Sequence, residues 1–139
     1  HGIIVDVMPT NDKILGFSNI WYSEGIKSRE EVKISNEIAI FILPVEYYLA
    51  TKIAAHNSRG GSDLRQSHDF EDIVYIVNNC SDLAKKITDT NVMKYLSDEF
   101  LKLLNNKGLN EGIESSLPYG SGATRVLKIV NVMTQISEL

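Results

Sequence analysis

Hydrophobic and polar positions along this chain change period once, near Pro44. Before it, apart from one short helical stretch, the apolar residues alternate or run together, as in strands; after it they recur at spacings of three and four, as in helices. Gly2-Ile3-Ile4-Val5-Asp6-Val7-Met8 predicts a buried strand that Pro9 ends. Asn11-Asp12-Lys13 and Gly16 supply turn chemistry. Ser18 is placed to cap a short helix carrying Ile20, Trp21, Tyr22 and Ile26. Residues 31–34 alternate like an exposed strand, Ser35-Asn36 reads as a hairpin turn, and residues 37–43 form the partner strand. The nearly unbroken apolar character of that partner predicts burial on both of its faces.

Pro44 suits the first turn of a helix, which the pattern extends from Val45 to about Asn57 with Val45, Tyr48, Leu49 and Ile53 toward the core. Residues 58–67, with Arg59-Gly60-Gly61-Ser62-Asp63, have the composition of a loop. The next helix spans about His68 to Asn79, because Phe70, Ile73, Val74 and Val77 fall at i, i+3, i+4 and i+7. Further helices are expected over about 82–87, 91–105 and 109–117. Pro118 and Gly120-Ser121-Gly122 then break the chain. A last helix over 123–138 carries the stripe Val126, Leu127, Val130, Met133 and Ile136. A β portion (1–43) followed by a helical subdomain (44–139), with no βαβ alternation, predicts an α+β fold.

Composition narrows the function classes without choosing one. The 139 residues carry a net charge of −4, which lacks the broad basic footprint of a dedicated nucleic-acid-binding domain. The single cysteine, Cys80, excludes an internal disulfide. His1 and His56 form no spaced cluster with cysteine or acids, which argues against zinc. No apolar run approaches the ~18 residues of a membrane span, so no membrane partner and a cytoplasmic location are the default expectations. The chain opens His1-Gly2 almost inside a strand, and it is expected to be the C-terminal part of a longer protein.

Three positions are candidates for chemistry. Asp6 shares a strand face with Ile4 and Met8, where a carboxylate is costly unless it meets a metal, a cation or several donors. Its functional reading is a Mg²⁺ ligand, its structural one an ion pair. Lys52 sits one helical turn from Tyr48 beside Leu49 and Ile53, with no other charge between Glu46 and Arg59. It is either an ammonium aimed at phosphate or a snorkelling side chain. In His68-Asp69-Phe70-Glu71-Asp72, acids in a first turn ordinarily serve the helix dipole, with Ser67 or Asp69 as cap. The functional alternative has Asp69, with Asp72 one turn on, facing a cleft and joining Lys52. Arg59 and Arg65 are phosphate candidates from the loop before it, or simply solvated residues.

Taken in order, Ile4-Val5-Asp6-Val7-Met8-Pro9, Gly16-Phe17-Ser18-Asn19-Ile20-Trp21-Tyr22, Leu49-Ala50-Thr51-Lys52 and Ser67-His68-Asp69-Phe70-Glu71-Asp72-Ile73 resemble the C-terminal two-thirds of AbiEii-type nucleotidyltransferase-like proteins. These are related to the toxin components of the AbiEii type, within the DNA polymerase β-like nucleotidyltransferase superfamily. The resemblance covers nearly the whole chain and is clearest over residues 2–78. It implies that residues 1–43 end a small mixed sheet of the nucleotidyltransferase type, followed by a helical bundle. It further implies that Asp6 matches a third metal-binding acid and that Lys52 matches a lysine on the helix after the sheet. Residues 68–72 match a Lys-Asp-x-x-Asp motif, with His68 in place of the lysine, Asp69 the better match and Asp72 the weaker.

The implied activity is Mg²⁺-dependent transfer of a nucleoside monophosphate from a nucleoside triphosphate to a hydroxyl acceptor on tRNA, a protein or a small molecule. An antitoxin partner is implied for a toxin-like parent. In that reading Asp6, Lys52 and Asp69 are catalytic, Lys52, Arg59 and Arg65 bind nucleotide, and Asp6 binds metal. The family's Gly-Ser turn followed by Asp-x-Asp occurs nowhere in this sequence. The chain alone is therefore expected to be inactive, and the alternative reading is a non-catalytic nucleotide- or partner-binding module.

Overall fold

The computed structural model describes residues 19–139. The strand expected over 2–8, the turn after it and Ser18 lie outside the described residues. Helix α1, Ile20–Lys27, starts at Asn19. The Asn19 side-chain oxygen accepts from the Trp21 amide at 3.3 Å, and its Nδ2 donates to the Thr51 carbonyl at 3.0 Å. The cap is thus Asn19, one residue after the position favoured by the sequence pattern. Its carboxamide has both a donor and an acceptor, so it can start α1 and tie it to the next helix at once.

Strands β1, Glu30–Lys33, and β2, Ala39–Ile42, pair antiparallel with Glu30 opposite Ile42 and Lys33 opposite Ala39. Every residue of both strands is exposed, Phe41 at 62%. This corrects the expectation of two-faced burial. A run of apolar residues is buried only if an opposing surface covers it, and among the described residues this ribbon packs mainly on itself. The Arg29 guanidinium lies 5.0 Å from the Phe41 ring centre and partly shields it.

Beyond Pro44 the structure is helical. Helix α2 is Val45–Arg59, α3 His68–Asn79, α4 Thr90–Leu104, α5 Leu109–Ser115 and α6 Ala123–Ser137. Single 3₁₀ turns occupy Leu64–Gln66 and Leu83–Lys86. The second replaces the α-helix expected over 82–87; Asp82 before it is left-handed, with φ 52°. Helix α2 packs on α1, α3 and α4, and α6 closes the bundle against α4 and α3. Leu49, Ile53, Phe70, Ile73, Phe100 and Met133 form the dry centre. Of the α6 stripe, Val126, Met133 and Ile136 are buried as expected, but Ile129 replaces Leu127, which is exposed. Positions 126, 129, 133 and 136 share one arc of the helix, whereas 127 is turned about 100° away from 126.

Buried polar groups join α2 to α4. Glu46 Oε2 accepts from the amides of Thr88 at 2.6 Å and Asp89 at 3.0 Å. Asp89 caps α4 by accepting from the amides of Asn91 and Val92, and also accepts from the Tyr47 hydroxyl at 2.9 Å. No helix among the described residues is long and apolar enough to cross a membrane. The architecture is α+β: a two-stranded antiparallel sheet followed by a C-terminal helical part.

Candidate functional site

The α2–α3 seam collects most of the predicted chemistry. Arg59 is seven residues beyond Lys52, two helical turns on, so both project from one side of α2. The sequence placed Arg59 in a loop; α2 runs two residues further than expected and ends on it. Helix α3 returns past α2 with Asp69 and Asp72 one turn apart. Lys52 Nζ lies 2.6 Å from Asp72 Oδ2. Arg59 Nε and Nη2 donate to the two oxygens of Asp69 at 2.8 and 3.0 Å, a bidentate pair.

The partners differ from the expected ones. Asp69 was expected to join Lys52, but the direct partner of Lys52 is Asp72, and Asp69 binds Arg59. Two helices running in opposite directions pair their residues in inverse order, so 52 meets 72 and 59 meets 69. Asp69 still acts on Lys52 at longer range. Nor does Asp69 cap its helix: Ser67 does, its Oγ accepting from the Phe70 amide at 3.2 Å.

The electrostatics follow from this pairing. The hydrogen bond from Arg59 holds the buried Asp69 carboxyl below the usual carboxylate range, against burial and with help from Lys52 and His56. Burial disfavours the Lys52 ammonium, but the Asp72 hydrogen bond together with Tyr48, Asp72 and Asp69 outweighs it, and the net shift is upward. Tyr22 of α1 belongs to the same cluster. Burial raises its hydroxyl, opposed by the charges of Lys52 and Arg59. Its neighbour Trp21 is buried against Tyr95, with ring centres 4.9 Å apart. Consecutive helical residues point about 100° apart, so Trp21 and Tyr22 serve different surfaces.

His56, given no role by the sequence, lies buried beneath the seam with Nδ1 2.8 Å from Ser67 Oγ. Gly60 makes room for it. A Cβ at position 60 would stand 2.2 Å from His56 Nδ1 and 2.6 Å from the His56 carbonyl oxygen. Eleven residues separate His56 from Ser67, so no local motif announces the contact.

The other candidates sit elsewhere. Arg65, in the first 3₁₀ turn, pairs with Asp63 at 2.8 Å and lies 3.9 Å from Glu111. His68, at 99% side-chain exposure, points to Glu71 at 3.5 Å and takes no part in the seam. Asp6 lies outside the described residues. Among the described residues, no group of three or more His, Cys, Asp or Glu could hold a metal ion. Asp69 and Asp72 are each neutralised by a cation, so these two carboxylates do not fit a Mg²⁺ centre.

Two depressions lie beside the start of α2. The larger, about 880 Å³, lies between the hairpin and the start of α2 and includes Ile42, Leu43, Val45 and Lys86. The smaller, about 420 Å³, lies between α2 and α3 next to Asp72. No protein-family model matches this chain, and no curated protein and no solved structure matches it.

Proposed function

We propose that this chain carries the phosphate-holding helical part of a nucleotidyltransferase, which moves a nucleoside monophosphate from a nucleoside triphosphate to a hydroxyl acceptor. The supporting observation is the convergence of Lys52 and Arg59 on one seam, with each cation held by its own carboxylate. An ammonium and a guanidinium fixed by Asp72 and Asp69 need little reorganisation to meet phosphate oxygens. In this reading Lys52 contacts the triphosphate, Asp72 and Asp69 position Lys52 and Arg59, and pyrophosphate leaves as the acceptor oxygen bonds to the α-phosphorus. Positioning and charge neutralisation supply most of such catalysis. Mg²⁺ would be held by Asp6 with acids that the described residues do not contain. The acceptor is a tRNA end, a protein side chain or a small molecule, and a toxin-like parent would have a neutralising partner protein.

An ion-pair ladder that merely clamps two helices is the competing account, and binding separates the two. Titration calorimetry of the chain with ATP, CTP, GTP and UTP, each with Mg²⁺, is the test. Lys52→Ala is expected to weaken the preferred nucleotide about tenfold or more, the scale of one hydrogen bond to a charged group. Lys85→Ala, in the second 3₁₀ turn and paired with Asp82, is expected to leave the affinity unchanged. A folded Lys52→Ala chain that binds every nucleotide as well as the wild type overturns the phosphate role.

A further inference from the structure

The seam does not end at Lys52. Past the Lys52–Asp72 pair, residues of α2 and α3 border the 420 Å³ recess, among them Val45, Tyr48, Asp72, Tyr75, Ile76 and Asn79. We propose that this recess takes the base of a nucleoside triphosphate whose phosphates run along Lys52 toward Arg59. The inference rests on the phosphate reading above and adds to it the place and chemistry of base recognition.

Four observations carry it. The recess falls in the range of small-molecule sites, roughly 300–1,000 Å³. Tyr48 and Tyr75 are 40% and 69% exposed, although their chain neighbours Leu49 and Val74 are fully buried. Each helix thus offers one aromatic ring to the recess, Tyr48 from α2 and Tyr75 from α3, and an aromatic face accepts any base by stacking. Val45 and Ile76 add apolar surface. Finally, the charge lies at one end only. Lys52 Nζ is 2.6 Å from Asp72 and 5.6 Å from the centre of the Tyr48 ring, where the seam and the recess meet. A flat apolar group at one end and a fixed cation at the other match the two halves of a nucleotide. Asn79 donates its amide N–H to the Tyr75 carbonyl at 2.8 Å, which leaves its side-chain oxygen as an acceptor for a base edge. The larger cleft is less suited, because the Glu46 carboxylate on its wall is already taken by the Thr88 and Asp89 amides.

Comparing nucleotides with inorganic tripolyphosphate tests the recess separately from the seam. With the full 139-residue chain, Tyr75→Ala is expected to weaken nucleoside triphosphate binding about tenfold, the effect of losing one stacked base. It should leave tripolyphosphate affinity unchanged, and Tyr75→Phe should restore nucleotide binding, since stacking needs the ring and not the hydroxyl. Circular dichroism of each variant checks the fold. Equal binding of tripolyphosphate and nucleotides by the wild type, or a Tyr75→Ala effect equal on both, overturns the base site and leaves the phosphate seam standing. Binding of neither ligand overturns both.

Discussion

The imidazole of His56 lies in the core beside Phe70, with its Nδ1 against the Ser67 hydroxyl that caps α3. Ser67 Oγ already accepts the Phe70 amide, so its own proton suits Nδ1 of a neutral ring carrying its hydrogen on Nε2. Burial lowers the His56 pKa, and the charges of Asp69 and Glu99 oppose that only in part. The unfolded ring titrates near 6.5. Below that pH the unfolded chain binds a proton that the folded ring resists. The contribution of His56 is therefore complete above about 6.5 and is lost as pH falls through the lower folded value. Urea unfolding of the wild type between pH 5 and 8 is expected to show stability rising with pH up to about 6.5. His56→Gln, which keeps a hydrogen-bonding side chain without titrating, should flatten that rise. An unchanged slope in the variant removes His56 as its source. None of this was legible locally: a lone histidine is informative only once its burial and its distant serine are known.

At the scale of elements, the helices were legible and their ends less so. His68–Asn79 emerged with the expected bounds because its apolar period is clean and Ser67 is a strong cap. Helix α2 overran its predicted end because Gly60, the expected breaker, continues in the right-handed helical region, with φ −70° and ψ −12°. The residues at 82–87 form one 3₁₀ turn, since a six-residue segment has too few hydrogen bonds to sustain an α-helix. The junction of α2 with α4 makes a prediction at this scale. Asp89→Ala removes the α4 cap and leaves the Tyr47 hydroxyl without its acceptor. A loss of about 1–2 kcal/mol is expected, the upper part of the range for capping residues, read from the denaturant midpoint at constant m. A change below about 0.3 kcal/mol would mean that the cap is replaced by water, as at an exposed helix end.

At the scale of the whole molecule, the two cations and two carboxylates that the described residues bring to the seam sum to zero charge, in a chain of net charge −4. In the reading proposed above, such a neutral site would serve short-range phosphate contacts rather than long-range attraction of a large polyanion. Because no Gly-Ser turn followed by Asp-x-Asp occurs in the sequence, the chain by itself is expected to bind nucleotide without transferring it. Metal-dependent transfer of a labelled nucleoside monophosphate by the purified chain contradicts that expectation. Periodicity alone determined the α+β class, the order of the elements and most of the helical core, since a repeat of two or near 3.6 follows from local backbone geometry. It also singled out Lys52 as a charge beside an apolar face, while Asp69 and Asp72 stood out as acids at a helix start. Tertiary structure alone decided that Lys52 meets Asp72 while Asp69 meets Arg59, that Tyr22 joins them, that His56 supports the start of α3, and that the apolar strand Ala39–Ile42 stays exposed. Those outcomes depend on which surfaces face each other across tens of residues. Partner choice and burial are set by that three-dimensional proximity, which no local repeat in the chain encodes.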